Sequence, residues 1–153
     1  MLPATTQRVS DSTADHVNRR LWQETEARLA WFADHPDQIG TRLDELEQEW
    51  DIERTLEANA STLAFTGVVL GATVDRRWLL LPILVTGFLF QHALQGWCPP
   101  VPVLRRLGFR TATEIDRERY ALKLLRGDFD RVREAGDGSA PARARRALAA
   151  VTG

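Results

Sequence analysis

The sequence predicts an all-α protein: a two-helix transmembrane hairpin with amphipathic cytoplasmic helices on both sides. Three observations predict it. Residues 58–74 and 78–97 are two runs without formal charge, separated only by Asp75-Arg76-Arg77. Nearly all charge lies outside residues 58–97. The flanking segments repeat apolar residues every three or four positions, the period of a helix with one buried face.

Composition bounds the reading. A chain of 153 residues predicts one compact unit. Its charged fraction of 27% is ordinary, and a net charge of −1 supplies no global field that would attract nucleic acid. Cys98 is the single cysteine, which excludes an intramolecular disulfide and a cysteine-rich metal site. No metal and no cofactor are expected, and no complete catalytic set is visible. The start, Met1-Leu-Pro-Ala-Thr-Thr, has no basic region leading into an apolar run, so a cleaved signal peptide is not expected.

In chain order, residues 1–12 are small and polar and read as a flexible tail. Residues 13–57 read as amphipathic helices. Asp11 or Ser12 can cap the first, which runs to about Ala33 with Val17, Leu21, Trp22, Leu29 and Phe32 at near-helical spacing. Its Arg19, Arg20 and Arg28 beside Trp22 and Trp31 suit either a membrane surface or packing on neighbouring helices. His35-Pro36 ends it, because the residue before proline resists the helical region. A second helix begins near Pro36 or Thr41 and sets Ile39, Leu43, Leu46 and Trp50 on one face. The acidic residues from Asp44 to Glu53 form its solvated side. The helix is expected to continue through Ile52–Glu57 into the apolar stretch.

The spans are assigned to 58–74 and 78–97. The first is at the short end for a bilayer. The second is bracketed by Trp78 and Trp97, placed where aromatic residues meet the interface. Within the first, Ala60, Ala64, Gly67 and Gly71 form a small-residue stripe, with Gly67 and Gly71 a GxxxG match suited to close helix approach. That stripe can face the second span or another copy of the chain. Near the end of the second span, Gln91 and Gln95 are expected to hydrogen-bond between helices, since polar groups in lipid need partners. His92 has no carboxylate or second histidine at ligand spacing, so it predicts no metal site.

After Trp97, residues 98–135 read as a Pro-rich turn followed by an amphipathic helix. Pro99, Pro100 and Pro102 predict an extended turn. A short basic segment with Arg105 and Arg106 follows, placed at the membrane interface. Thr111 and Glu114 fit a capping box. The helix they open aligns Ile115, Leu122, Leu125, Phe129 and Val132, a face able to pair with the Ile39–Trp50 face. Gly127 is expected to interrupt it, and Arg126-Gly127-Asp128 matches an adhesion tripeptide by chance. Residues 136–153 read as a flexible Ala/Arg-rich tail. Its Arg143, Arg145 and Arg146 suit solvent or anionic headgroups.

Arginine counts orient the hairpin. Arg42, Arg54, Arg105, Arg106, Arg110 and Arg117 flank it, against Arg76 and Arg77 in the turn. The excess predicts both termini in the cytoplasm.

The stretch Trp78-Leu-Leu-Leu-Pro-Ile-Leu-Val, Gly87, Gln91, Gly96-Trp97-Cys98-Pro99 and Leu104-Arg105-Arg106-Leu107-Gly108, preceded by Glu53-Arg54, resembles the YgaP-like inner-membrane transmembrane domain family. The resemblance covers residues 52–109. It implies a bacterial inner-membrane two-helix module of unknown function whose hairpin self-associates. In the namesake arrangement the module is joined to a rhodanese sulfurtransferase domain; long helical flanks stand in its place here. Pro100 and Pro102 also depart from the commoner exit sequence.

Three function classes follow. The first is an integral membrane assembly or interaction partner, a homo-oligomer in the lipid bilayer with a protein partner on its cytoplasmic helices. The second is a thiol-dependent sulfur-transfer or redox protein using Cys98 as its reactive group, its thiolate stabilised by Arg105 and Arg106. The third is a soluble helical oligomer that buries the hairpin.

Overall fold

The computed structural model describes residues 4–130 and 139–152. It is all-helical, with no strand among the described residues. The helices are α1 (Arg8–Asp11), α2 (Asp15–Asp34), α3 (Ile39–Gln48), α4 (Ile52–Thr73), α5 (Leu80–Gln95), α6 (Val101–Arg106), α7 (Ala112–Arg126) and α8 (Ala140–Thr152), with 3-10 turns at Pro36–Gln38 and Arg76–Leu79. In place of one compact unit there are two: Met1–Gln23 with Trp50–Thr113, and Glu24–Glu49 with Glu114–Gly153.

The first unit contains α4 and α5. Asp51 caps α4 by accepting from the Arg54 N–H at 2.6 Å, which satisfies one of the donors a helix start leaves open. The helix runs unbroken from Ile52 through Ala58, but it does not continue the preceding helix as expected: α3 ends at Gln48, Asp51 caps a new start, and Trp50 stands exposed between the two instead of on the α3 face. Asp75 accepts from the Arg77 N–H at 2.7 Å and turns the chain back, so α5 packs antiparallel along α4. At the C-terminus of α5, Gly96 takes φ +73, the left-handed cap that glycine adopts without a Cβ penalty. Below the hairpin, Val9, Ile52, Leu56, Cys98 and Val101 form one buried cluster with Leu104 and Phe109 against it. The Ile52 N–H donates to the Arg110 carbonyl at 2.8 Å.

Residues 1–12 are therefore not a tail throughout. α1 forms within them, and Val9 is buried in the cluster just described. The Pro-rich exit also differs from an extended turn. Pro100 stands at the N-cap of α6 and Pro102 in its first turn, where a helix has no use for the missing N–H.

The second unit packs the later part of α2 with α3 and α7. Its core is Phe32, Ile39, Leu43, Leu46, Ile115 and Leu122, with Leu29 against it. Ile115 and Leu122 thus meet the α3 face as their spacing predicts, whereas Leu125 is exposed and Val132 lies outside the described residues. Glu118 is fully buried in this unit, accepting from Arg28 at 3.0 Å and Arg42 at 2.9 Å. Burial opposes the charge on Arg42, but Glu118, Glu45 and Glu49 outweigh it and raise its pKa. α7 begins one residue after Thr111 and ends at Gly127, φ +83. Residues 140–152 of the expected tail are helical, and the Lys123 ammonium donates to the Val151 carbonyl at 3.4 Å. Residues 136–138 of that tail lie outside the described residues.

By length and composition, one described stretch, Arg76–Gln95, is long and apolar enough to cross a membrane, and only 6% of it is buried. α4 falls short of that apolarity because Asn59, Ser61, Thr62 and Thr66 dilute its central residues.

Candidate functional site

The residues singled out in the sequence converge on the seam and base of the α4–α5 hairpin. Gly67 and Gly71 are both buried in the seam. A Cβ on Gly67 would stand 2.5 Å from Pro82 Cδ, and one on Gly71 would stand 2.6 Å from Leu79 Cδ2. The two glycines are thus used within the hairpin, where their missing side chains let the turn and the start of α5 approach. Ala60 and Ala64 continue the stripe but line an open groove with Val85 and Leu89.

Hydroxyls along both helices bond back to their own helix. Thr62 donates to the Ala58 carbonyl at 2.7 Å, Thr66 to Thr62 at 2.8 Å, Thr73 to Val69 at 2.7 Å and Thr86 to Pro82 at 2.7 Å. Each hydroxyl thus has a carbonyl partner one turn back in its own helix. Gln91 and Gln95 meet each other at 3.5 Å along one face of α5 instead of bonding to α4. The Gln95 carbonyl is used as well, accepting from the Ser12 hydroxyl at 2.9 Å. His92 is buried, and neither ring nitrogen has a hydrogen-bond partner among the described residues.

At the base, Cys98 is 4% exposed. Burial pushes its thiol pKa up, against the lesser effect of the Val101 backbone N–H. Its side of the hairpin holds an apolar cavity of about 230 Å³, lined by Leu56, Leu63, Val85, Phe88, Cys98 and Pro99 among others. Arg105 does not serve as a headgroup anchor. It is fully buried and donates to Thr13 Oγ1 at 3.2 Å, the Phe109 carbonyl at 3.0 Å and Asn18 Oδ1 at 3.0 Å. Those bonds commit its guanidinium to tying α6 to the α1–α2 connection. Arg106 is exposed, and so are Trp78 and Trp97 at the two ends of the α5 segment.

Two contacts here carry no strong sequence signal. Arg8 pairs with Glu53 at 2.9 Å, joining α1 to α4. Desolvation raises the Glu53 pKa, with Asp51 and Glu57 adding to the rise and Arg8 opposing it. The Arg54 guanidinium lies 4.4 Å from the Trp50 ring centroid. Trp50 stands in the break before α4, so helical spacing does not announce this stack.

No group of three or more His, Cys, Asp or Glu suited to a metal ion occurs among the described residues. The arrangement supplies close helix packing, a polar base and an outward apolar surface. No protein-family model, curated protein or solved structure matches this chain.

Proposed function

We propose that the chain is an integral membrane protein whose α4–α5 hairpin crosses the bilayer, and that it acts as a self-associating assembly or interaction partner. One observation carries this reading: the hairpin turns large apolar side chains outward over its whole length. Phe65 is 72% exposed, Ile83 63% and Phe90 66%. A surface of that kind in water would drive association, whereas lipid covers it without further cost. The back-bonded threonines and the internally satisfied helix backbone support the same reading.

The Arg76–Gln95 stretch has 20 residues, which at helical rise spans about 30 Å, the thickness of a hydrocarbon core. α4, whose uncharged run at residues 58–74 is the shorter of the two, crosses by virtue of its pairing with α5. The arginine excess at the helix bases favours both termini in the cytoplasm, and the YgaP-like resemblance favours a bacterial inner membrane. The buried, raised-pKa Cys98 weighs against the thiol-dependent alternative.

Alkaline carbonate extraction tests the span. The chain is expected to stay with the membrane pellet; release into the supernatant would overturn the reading in favour of a soluble oligomer that buries the same surface.

A further inference from the structure

The hairpin carries a groove of about 490 Å³ on the side marked by Trp50, a volume in the range of small-ligand clefts. Its lining is mostly apolar, with Ala60 and Ala64 on α4 and Val85 and Leu89 on α5, beside Ser61 and Thr86, whose hydroxyls bond back to their own helices. The same lining holds opposite charges, Arg54 and Glu57. Both side chains are exposed, and neither makes an ion pair among the described residues. Arg54 stacks one face on Trp50, which leaves the guanidinium N–H edges available.

We propose that this groove binds a phospholipid with a phosphoethanolamine headgroup, an inference that rests on the membrane reading above. Charge complementarity selects the headgroup. Positions three apart on a helix hold their Cβ atoms about 5–6 Å apart, so Arg54 and Glu57 present a cation and an anion at the scale of one headgroup. Arg54 donates to the phosphate, and Glu57 accepts from the primary ammonium. An anionic headgroup would meet repulsion from Glu57, and a quaternary ammonium offers it no N–H. Length selects the chain: from Arg54 to Ala64 the helix rises about 15 Å, half of the ~30 Å hydrocarbon core, so one acyl chain fills the groove within one leaflet.

The test is lipid retention by the full chain. It is reconstituted in vesicles of equimolar phosphatidylethanolamine, phosphatidylglycerol and phosphatidylcholine, released in mild detergent and weighed with its adducts by native mass spectrometry. A preference of about three- to tenfold for phosphatidylethanolamine over each of the other two lipids is expected. Glu57→Gln should abolish the preference over phosphatidylglycerol, while Arg54→Gln lowers retention of both. Ala60→Leu with Ala64→Leu should fill the groove and remove the adduct at unchanged helix content by circular dichroism. Equal retention of the three lipids by the unmodified protein overturns the proposal, as does a preference that Glu57→Gln leaves in place. Carbonate separates the two failures: a chain that stays in the membrane without lipid preference loses only the groove, and a chain that is released loses the span and the groove together.

Discussion

Gly67 shows how one residue type sets the closeness of the hairpin. Its missing Cβ is the space that Pro82 and Leu81 occupy. Gly67→Leu should therefore pry the seam apart, at about 1–3 kcal/mol for overpacking. Unfolding midpoints in detergent check this, and an unchanged midpoint would mean that α5 seats elsewhere. Cys98 makes a second residue-scale prediction. With its pKa raised by burial, less thiolate is present at a given pH than for an ordinary thiol. Maleimide labelling of the folded protein at neutral pH should be slow, should climb only above the pH where an exposed cysteine reacts, and should become complete in hot dodecyl sulfate. Rapid labelling at neutral pH would restore Cys98 as a reactive group. Glu118 makes a third. Glu118→Ala removes the carboxylate that Arg28 and Arg42 share, leaving Arg28 with Thr25 and Arg42 with Glu45 and Glu49, and breaking a buried pair typically costs about 3–5 kcal/mol. The lower end applies, because Arg28 keeps 33% side-chain exposure. Loss of cooperative unfolding in this variant, measured by chemical denaturation, is the expected result.

At the scale of elements, α6 depends on a single arginine. Arg105 forks to a hydroxyl, a carbonyl and an amide oxygen, a geometry that a lysine ammonium cannot copy. Arg105→Lys should leave acceptors unsatisfied and destabilise by about 1–3 kcal/mol, seen as faster proteolysis near residues 99–110. Equal protease resistance would show that charge alone suffices. The element boundaries themselves were largely legible. The break at His35-Pro36, the run of α4 from Ile52 into the apolar stretch, and the stop at Gly127 follow from proline, periodicity and the left-handed glycine. Partners across the chain were less so. Glu118 stands three residues after Ile115 and four before Leu122, so it interrupts the apolar stripe of α7, and Arg105 stands four after Val101. Those intervals place each charge on a buried face. Which groups satisfy it there depends on contacts that local periodicity does not carry. α1 is illegible for the same reason: a four-residue helix has no period to read, and burial of Val9 gives it its place.

At the scale of the whole molecule, the prediction concerns sidedness. A single cysteine placed at Asp75 in a Cys98→Ser background should react with a membrane-impermeant maleimide added to intact cells, and one placed at Ala4 should not. The reverse pattern would invert the topology that the arginine excess favours. Both compact units are discontinuous in sequence, and the first draws its base from both ends of the hairpin. Val9 shares a cluster with Cys98, and Ser12 bonds to Gln95 across 83 positions. This has a consequence for the order of synthesis. The segment holding Val9 and Ser12 leaves the ribosome well before its partners exist, so it must wait, uncommitted, while the hairpin is made. The base closes only after residue 98 has emerged, which makes its assembly a report that both helices of the hairpin are complete. A nascent chain arrested before that point should leave the N-terminal segment open to protease, and one arrested well beyond it should protect the segment.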